Sequence, residues 1–275
     1  MRRRALVSWA MATGSARAAG PAAGGASIGF ALGSGVVHGW VLVGIVRGCA
    51  RAGIHPLAIA GASAGAAIGS LWAAGLPAED MVPVVRRFGW QDAPGALPAL
   101  MGIRRRNDSL REAVERAVGA RRIDELPVRY AAVASDAISG ESVVIDRGPV
   151  GLAVEASCAA PVRDEPVPIG NRRLLDGSLT SPVPVAAARQ LGARRIVAVD
   201  VAYRPYEETP SSASDYAFQA VHILTNALAR EQTRQAEHLI KLDVHHLMRR
   251  RLDVDALIDA GETALLRLAP ALQGR

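Results

Sequence analysis

Short apolar runs bounded by glycine, proline and small polar residues alternate along the chain with longer stretches whose apolar positions recur every three or four residues. Runs of the first kind predict strands, and stretches of the second kind predict amphipathic helices. Residues 28–32 give a first strand, followed by Gly33-Ser34-Gly35 and a helix over 40–52. A second strand over 57–60 enters Gly61-Ala62-Ser63-Ala64-Gly65 and a helix of small residues that reaches Ala74. Helices follow near 78–88 and over 109–118, the latter opened by Ser109 and Glu112 at capping-box spacing. Residues 129–135 and 141–145 read as strands joined through Ser139-Gly140, and 150–158 as a helix. A strand over 172–175 ends at Asp176-Gly177, a helix covers 185–191, and a strand over 195–199 ends at Asp200. Residues 203–215, with two Pro, two Glu and three Ser, predict a surface loop. A long helix, a strand over 238–242 and a helix over 254–272 close the chain. Such alternation predicts an α/β fold in three layers, α/β/α, with a mostly parallel central sheet.

A single domain over residues 28–275 accounts for these elements, with residues 1–27 a disordered segment outside it. The first residues imitate a signal peptide, with Arg2, Arg3 and Arg4, an apolar stretch over 5–12 and Ala16-Arg17-Ala18. Ser8 interrupts that stretch and Thr13-Gly14 stops it, so secretion is not expected and a cytoplasmic location is. Residues 18–46 carry no formal charge and are long enough to span a bilayer, but eight glycines, Pro21 and His38 break the run. Any membrane contact is therefore expected to be peripheral.

With 275 residues, half apolar and 21% charged, the chain is neither disordered nor fibrous. Cys49 and Cys158 are too few for a disulfide scaffold, and no Cys or His spacing suits a metal, so no metal and no cofactor are expected. The net charge of +6 falls wholly within residues 1–78, which hold six Arg and no acid. One Lys against 31 Arg, with only 4% aromatic residues, argues against a nucleic-acid partner.

Candidate chemistry gathers at three strand ends. Gly61-Ala62-Ser63-Ala64-Gly65 is a G-x-S-x-G between a strand and a helix, the setting in which a tight turn presents a serine hydroxyl. A glycine turn that merely opens a packed helix would leave the same letters. The loop Gly33 to Gly39 carries backbone N–H groups that could face an anionic oxygen. A dinucleotide site is the rival for that loop, but it needs an acid about twenty positions on, and none precedes Glu79. Asp176-Gly177-Ser178 offers a strand-end carboxylate suited to act as base for a hydroxyl nucleophile, or only a turn former.

Taken together, these residues resemble the patatin-like phospholipase family. The resemblance runs through Leu32-Gly33-Ser34-Gly35, His38-Gly39-Trp40, Ala52-Gly53-Ile54, Gly61 to Gly65, Ala156-Ser157-Cys158 with Pro161, Leu175-Asp176-Gly177 with Pro182-Val183-Pro184, and residues 196–200. Within that family the chain looks most like the compact bacterial RssA-type subgroup. The resemblance implies a patatin-like three-layer fold, Ser63 as nucleophile, Asp176 as its base in a dyad without histidine, and Gly33, Ser34 and Gly35 as the oxyanion hole. It also makes Gly61, Gly65, Gly39, His38, Gly177 and Ser178 supporting motif residues. Substrates would be phospholipids, lysophospholipids or other acyl esters, hydrolysed without metal. Three positions depart from the family pattern. His38 stands where Arg is usual, which makes any positive charge there depend on pH. Ser178 replaces a Gly or Ala, and the charged Arg163-Asp164-Glu165 follows Pro161 where small apolar residues are usual.

Two other functions fit parts of the sequence. A Ser-Asp-His triad would recruit His222, His238, His245 or His246, in the chain order of α/β-hydrolases. A regulatory protein that has lost turnover would retain the fold with an altered loop.

Overall fold

The computed structural model describes residues 28–35, 39–88, 108–161, 163–201, 210–244 and 253–274. Among these, eight strands form one sheet: β1 (Ile28–Leu32), β2 (Ala58–Ala62), β3 (Arg129–Asp136), β4 (Ser142–Ile145), β5 (Val167–Ile169), β6 (Arg172–Asp176), β7 (Arg195–Asp200) and β8 (His238–Lys241). Their order is β5-β6-β3-β2-β1-β7-β8, with β4 also paired to β3. The five strands from β3 to β8 are parallel, whereas β4, β5 and β6 add antiparallel pairings at one side. The helices are α1 (Gly39–Ala52), α2 (Ala64–Ala73), α3 (Ala78–Arg86), α4 (Asp108–Val118), α5 (Val150–Ser157), α6 (Val185–Gln190), α7 (Ala213–Thr233) and α8 (Val254–Leu272).

Alternation along the buried strands divides the core into two layers. Phe30 and Leu32, Ile59, and Val197 and Val199 face the larger layer, against α1, α2 and α8. Ala31, Ala58, Ala60 and Ala198 face the other, where their small size lets α6 lie close to the sheet. Phe30 meets Trp72 of α2 edge to face, with ring centroids 4.8 Å apart. On the outer side α1 and α8 touch backbone to backbone. A β-carbon on Gly44 would strike the Ile258 carbonyl, and one on Gly261 the Val41 carbonyl.

The mostly parallel three-layer arrangement is as the sequence predicts, with antiparallel pairings at one side where the Ser139-Gly140 turn and the Asp176 strand bring chain back in the opposite direction. Three sequence expectations change. The short strand β5 contains Pro168, which broke the apolar pattern and is tolerated only on an edge strand. Ser109 does not cap α4, since Asp108 before it is already helical. Asp215 belongs to the first turn of α7, which Ser212 caps, so no surface loop extends that far; residues 202–209 lie outside the described residues. The predicted segment 1–27 is also outside them.

Candidate active site

Strand β2 runs through Gly61 and Ala62 and ends in a turn whose pivot is Ser63, with φ 54° and ψ −121°. A β-carbon in that conformation is strained, so only tight surroundings hold it there. Gly61 and Gly65 provide them. A side chain on Gly61 would strike the Gly65 carbonyl, and one on Gly65 would strike the Leu32 carbonyl and come within 2.8 Å of the Gly33 carbonyl. The two glycines therefore let the turn close on itself and let the loop after β1 pass across the start of α2.

Neighbouring side chains pin the Ser63 backbone. Its N–H donates to Ser157 Oγ at 3.0 Å, and that hydroxyl donates to the Val133 carbonyl at 2.5 Å. The Cys158 thiol donates to the Ser63 carbonyl at 3.2 Å. Sequence reasoning gave Ser157 and Cys158 no separate role. Ser157 is the last residue of α5 and Cys158 its C-cap, so the end of that helix carries both contacts.

Asp176 arrives from β6, whose antiparallel pairing sets it opposite Ala134 of β3. Ser63 Oγ donates to Asp176 Oδ2 at 2.8 Å, and the Ser178 N–H donates to the other carboxylate oxygen at 2.8 Å. The Asp176 backbone is fixed by its own N–H to the Ala159 carbonyl and by Ser135 Oγ to its carbonyl. Gly177 follows because a β-carbon there would strike the Val133 carbonyl. Burial raises the Asp176 carboxyl above the ordinary aspartate range, against the Ser178 N–H, the Ser178 and Ser63 hydroxyls and the Arg163 guanidinium, which all favour the carboxylate. Arg163 is itself clamped on Asp164, at 2.8 Å from Nη2, and Asp164 accepts the Ala160 N–H.

The glycine loop after β1 is held through its own backbone. The Gly33 and Ser34 N–H groups donate to the carbonyls of Val199 and Pro182, each at 2.9 Å. These two amides anchor the loop to the end of β7 and to the segment after Asp176. Gly39 opens α1, and His38 lies outside the described residues. Of the four histidines considered for a triad, His238 begins β8 at the opposite end of the sheet and lies 3.2 Å from Arg195. His222 is on α7, where burial lowers its pKa, and His245 and His246 are outside the described residues. The contact on Ser63 Oγ that a triad would give to imidazole is made by Asp176.

Among the described residues no group of three His, Cys, Asp or Glu could hold a metal ion, and no helix is long and apolar enough to cross a membrane.

The family model for patatin-like phospholipases matches residues 30–189. An uncharacterized NTE family protein of Mycobacterium tuberculosis is 33% identical over 177 residues, which cover 63% of this chain and 49% of that protein. The chain thus spans about half the length of this relative. Patatin-like phospholipase domain-containing protein 7 of Rattus norvegicus is 28% identical over 193 residues, 66% of this chain and 14% of that protein. The crystal structure of VipD from Legionella pneumophila aligns with a TM-score of 0.49 at 12% identity, covering 90% of this chain and 67% of that one.

Proposed function

The chain belongs to the patatin-like phospholipase family, and from that premise we propose that it is a serine acyl-ester hydrolase using a Ser63–Asp176 dyad. Its substrates would be phospholipids, lysophospholipids or related carboxylic esters. The observation that carries this reading is the direct 2.8 Å contact from Ser63 Oγ to Asp176 Oδ2, within range for proton transfer in the attacking step.

Asp176 takes the Ser63 proton as Oγ attacks the ester carbonyl carbon, giving a tetrahedral intermediate whose negative charge lies on the former carbonyl oxygen. Gly35 would supply an N–H donor to that oxygen, and the N-terminal end of α2, directly after Ser63, adds favourable dipole potential. Collapse expels the alcohol, which regains the proton from Asp176 and leaves the acyl group on Ser63. Water, deprotonated by Asp176, then attacks the acyl-enzyme by the same route and releases the acid. Burial of Asp176 strengthens it as a base, while the Ser178 N–H and Arg163 favour its carboxylate form.

Residues 28–275 would form the catalytic domain, with the RssA-type subgroup its place within the family. A panel of acyl esters of increasing chain length tests the activity, with wild type and Ser63→Ala compared directly. Turnover by wild type and none by the folded variant is expected. Equal activity in both would refute the dyad.

A further inference from the structure

Helix α7 is poorly covered for an element of 21 residues. Among its described side chains only Ala229 and Thr233, near its carboxyl end, are buried. There Gln232 ties it to the loop after Asp176: its Oε1 accepts the Val183 N–H at 3.1 Å, and its Nε2 donates to the Thr180 carbonyl at 3.2 Å. The other end follows β7, whose carboxyl terminus lies beside Gly33 at the sheet edge that carries the Ser63 turn.

The uncovered part is apolar. Tyr216, Val221, Ile223 and Leu224 are 58%, 41%, 51% and 69% exposed, four of the six exposed large hydrophobic side chains among the described residues. Residues 216, 220, 223, 224 and 227 fall on one stripe at helical spacing, flanked by 217 and 221. No Asp, Glu, Lys or Arg occurs from 216 to 229, although Asp215 and Arg230 stand immediately outside. Uncharged helix faces of this size mark contact with another protein or with a membrane.

We propose that this stripe of α7 docks on a lipid surface and sets the Ser63–Asp176 edge against it, which rests on the chain being a hydrolase of lipid acyl esters. Area separates this occupant from a second copy of the chain. Four large side chains and three alanines expose on the order of 500 Å², well below the roughly 800 Å² per partner of a standard protein interface. A bilayer needs less, because an amphipathic helix lying in the headgroup layer gains from every apolar side chain it buries and asks for no matching hydrogen bonds. Tyr216, apolar with a hydroxyl at its tip, suits that boundary. The contact would also leave substrate at the proposed catalytic edge instead of covering it with protein.

Flotation with vesicles of phosphatidylcholine in high salt tests the proposal, alongside hydrolysis of a short-chain soluble ester and solution mass. Wild type should float with the vesicles, and Ile223→Glu with Leu224→Glu should weaken that binding by about tenfold or more. The same double variant should hydrolyse the soluble ester within about twofold of wild type, since neither residue lies at the proposed site. Leu224→Trp should keep vesicle binding and show a blue shift of its added emission on lipid. Wild type that stays unbound, or a double variant that floats like wild type, would overturn the proposal. So would a wild-type dimer that the double variant splits without change in vesicle binding. Absence of soluble-ester turnover in wild type would strike at the hydrolase assignment, a result distinguishable from loss of docking.

Discussion

Ser63 pairs a hydroxyl with a backbone conformation that a β-carbon resists, and the two contributions can be separated. Ser63→Ala and Ser63→Gly both lose the nucleophile, but only alanine retains the β-carbon at φ 54°. Glycine should therefore leave the protein more stable than alanine by about 1 kcal/mol or more, read from paired denaturant melts. Equal midpoints would mean that the turn is not strained. Asp176 carries a burden of the opposite kind. Its carboxyl is raised above the unfolded value, so the native state binds its proton more tightly, and stability falls as pH rises from the ordinary aspartate range through the folded value. Asp176→Asn should consequently melt higher than wild type at pH 7, a gain that shrinks as pH falls toward about 4, while ester turnover drops by roughly 10²- to 10⁴-fold. Arg163 favours the ionised form of Asp176, so Arg163→Gln should move the acid limb of the activity profile to higher pH, and Arg163→Lys should move it back. An acid limb unmoved in the Gln variant would show that Arg163 serves only its pair with Asp164.

At the scale of elements, glycines decide how closely the parts approach. Gly65→Ala would push the start of α2 off the loop after β1 and should cost both stability and turnover. Gly44→Ala would separate α1 from α8 on the outer layer and should lower stability by about 1–3 kcal/mol with the soluble-ester rate per folded molecule unchanged. Thermal melts and ester assays on the two variants check this split. The parallel strands and most helices were legible because apolar runs of five residues, such as Ile28–Leu32, occur between glycine turns. The Ser63 turn and the Asp176-Gly177 strand end were legible for a related reason: tight backbone passages require particular small residues. What the sequence hid depends on contacts distant in the chain. Ser157 is 94 residues from the amide it accepts, and the anchoring of Gly33 and Ser34 by Val199 and Pro182 depends on strand neighbours that no local pattern reveals. Strand β5 was missed because it is three residues long and contains a proline.

Across the whole molecule, the sheet brings the ends of β1, β2 and β6 together at one edge and leaves α7 beside it with an uncovered apolar stripe. The excess positive charge belongs to residues 1–78, and four of those six Arg precede residue 28. Removing residues 1–27 should therefore weaken binding to anionic vesicles at low salt, where surface charge is least screened, and leave soluble-ester hydrolysis intact. Loss of soluble-ester activity in that truncation would place the segment within the catalytic domain. The central claim is that Ser63 is a nucleophile activated by Asp176. Labelling with a fluorophosphonate, followed by mass mapping of the adduct, addresses it most directly. The account predicts one adduct, on Ser63, formed by wild type and slowed by roughly 10²-fold or more in Asp176→Asn. A folded wild-type protein that stays unlabelled, or one whose Asp176→Asn variant labels at the wild-type rate, would contradict it.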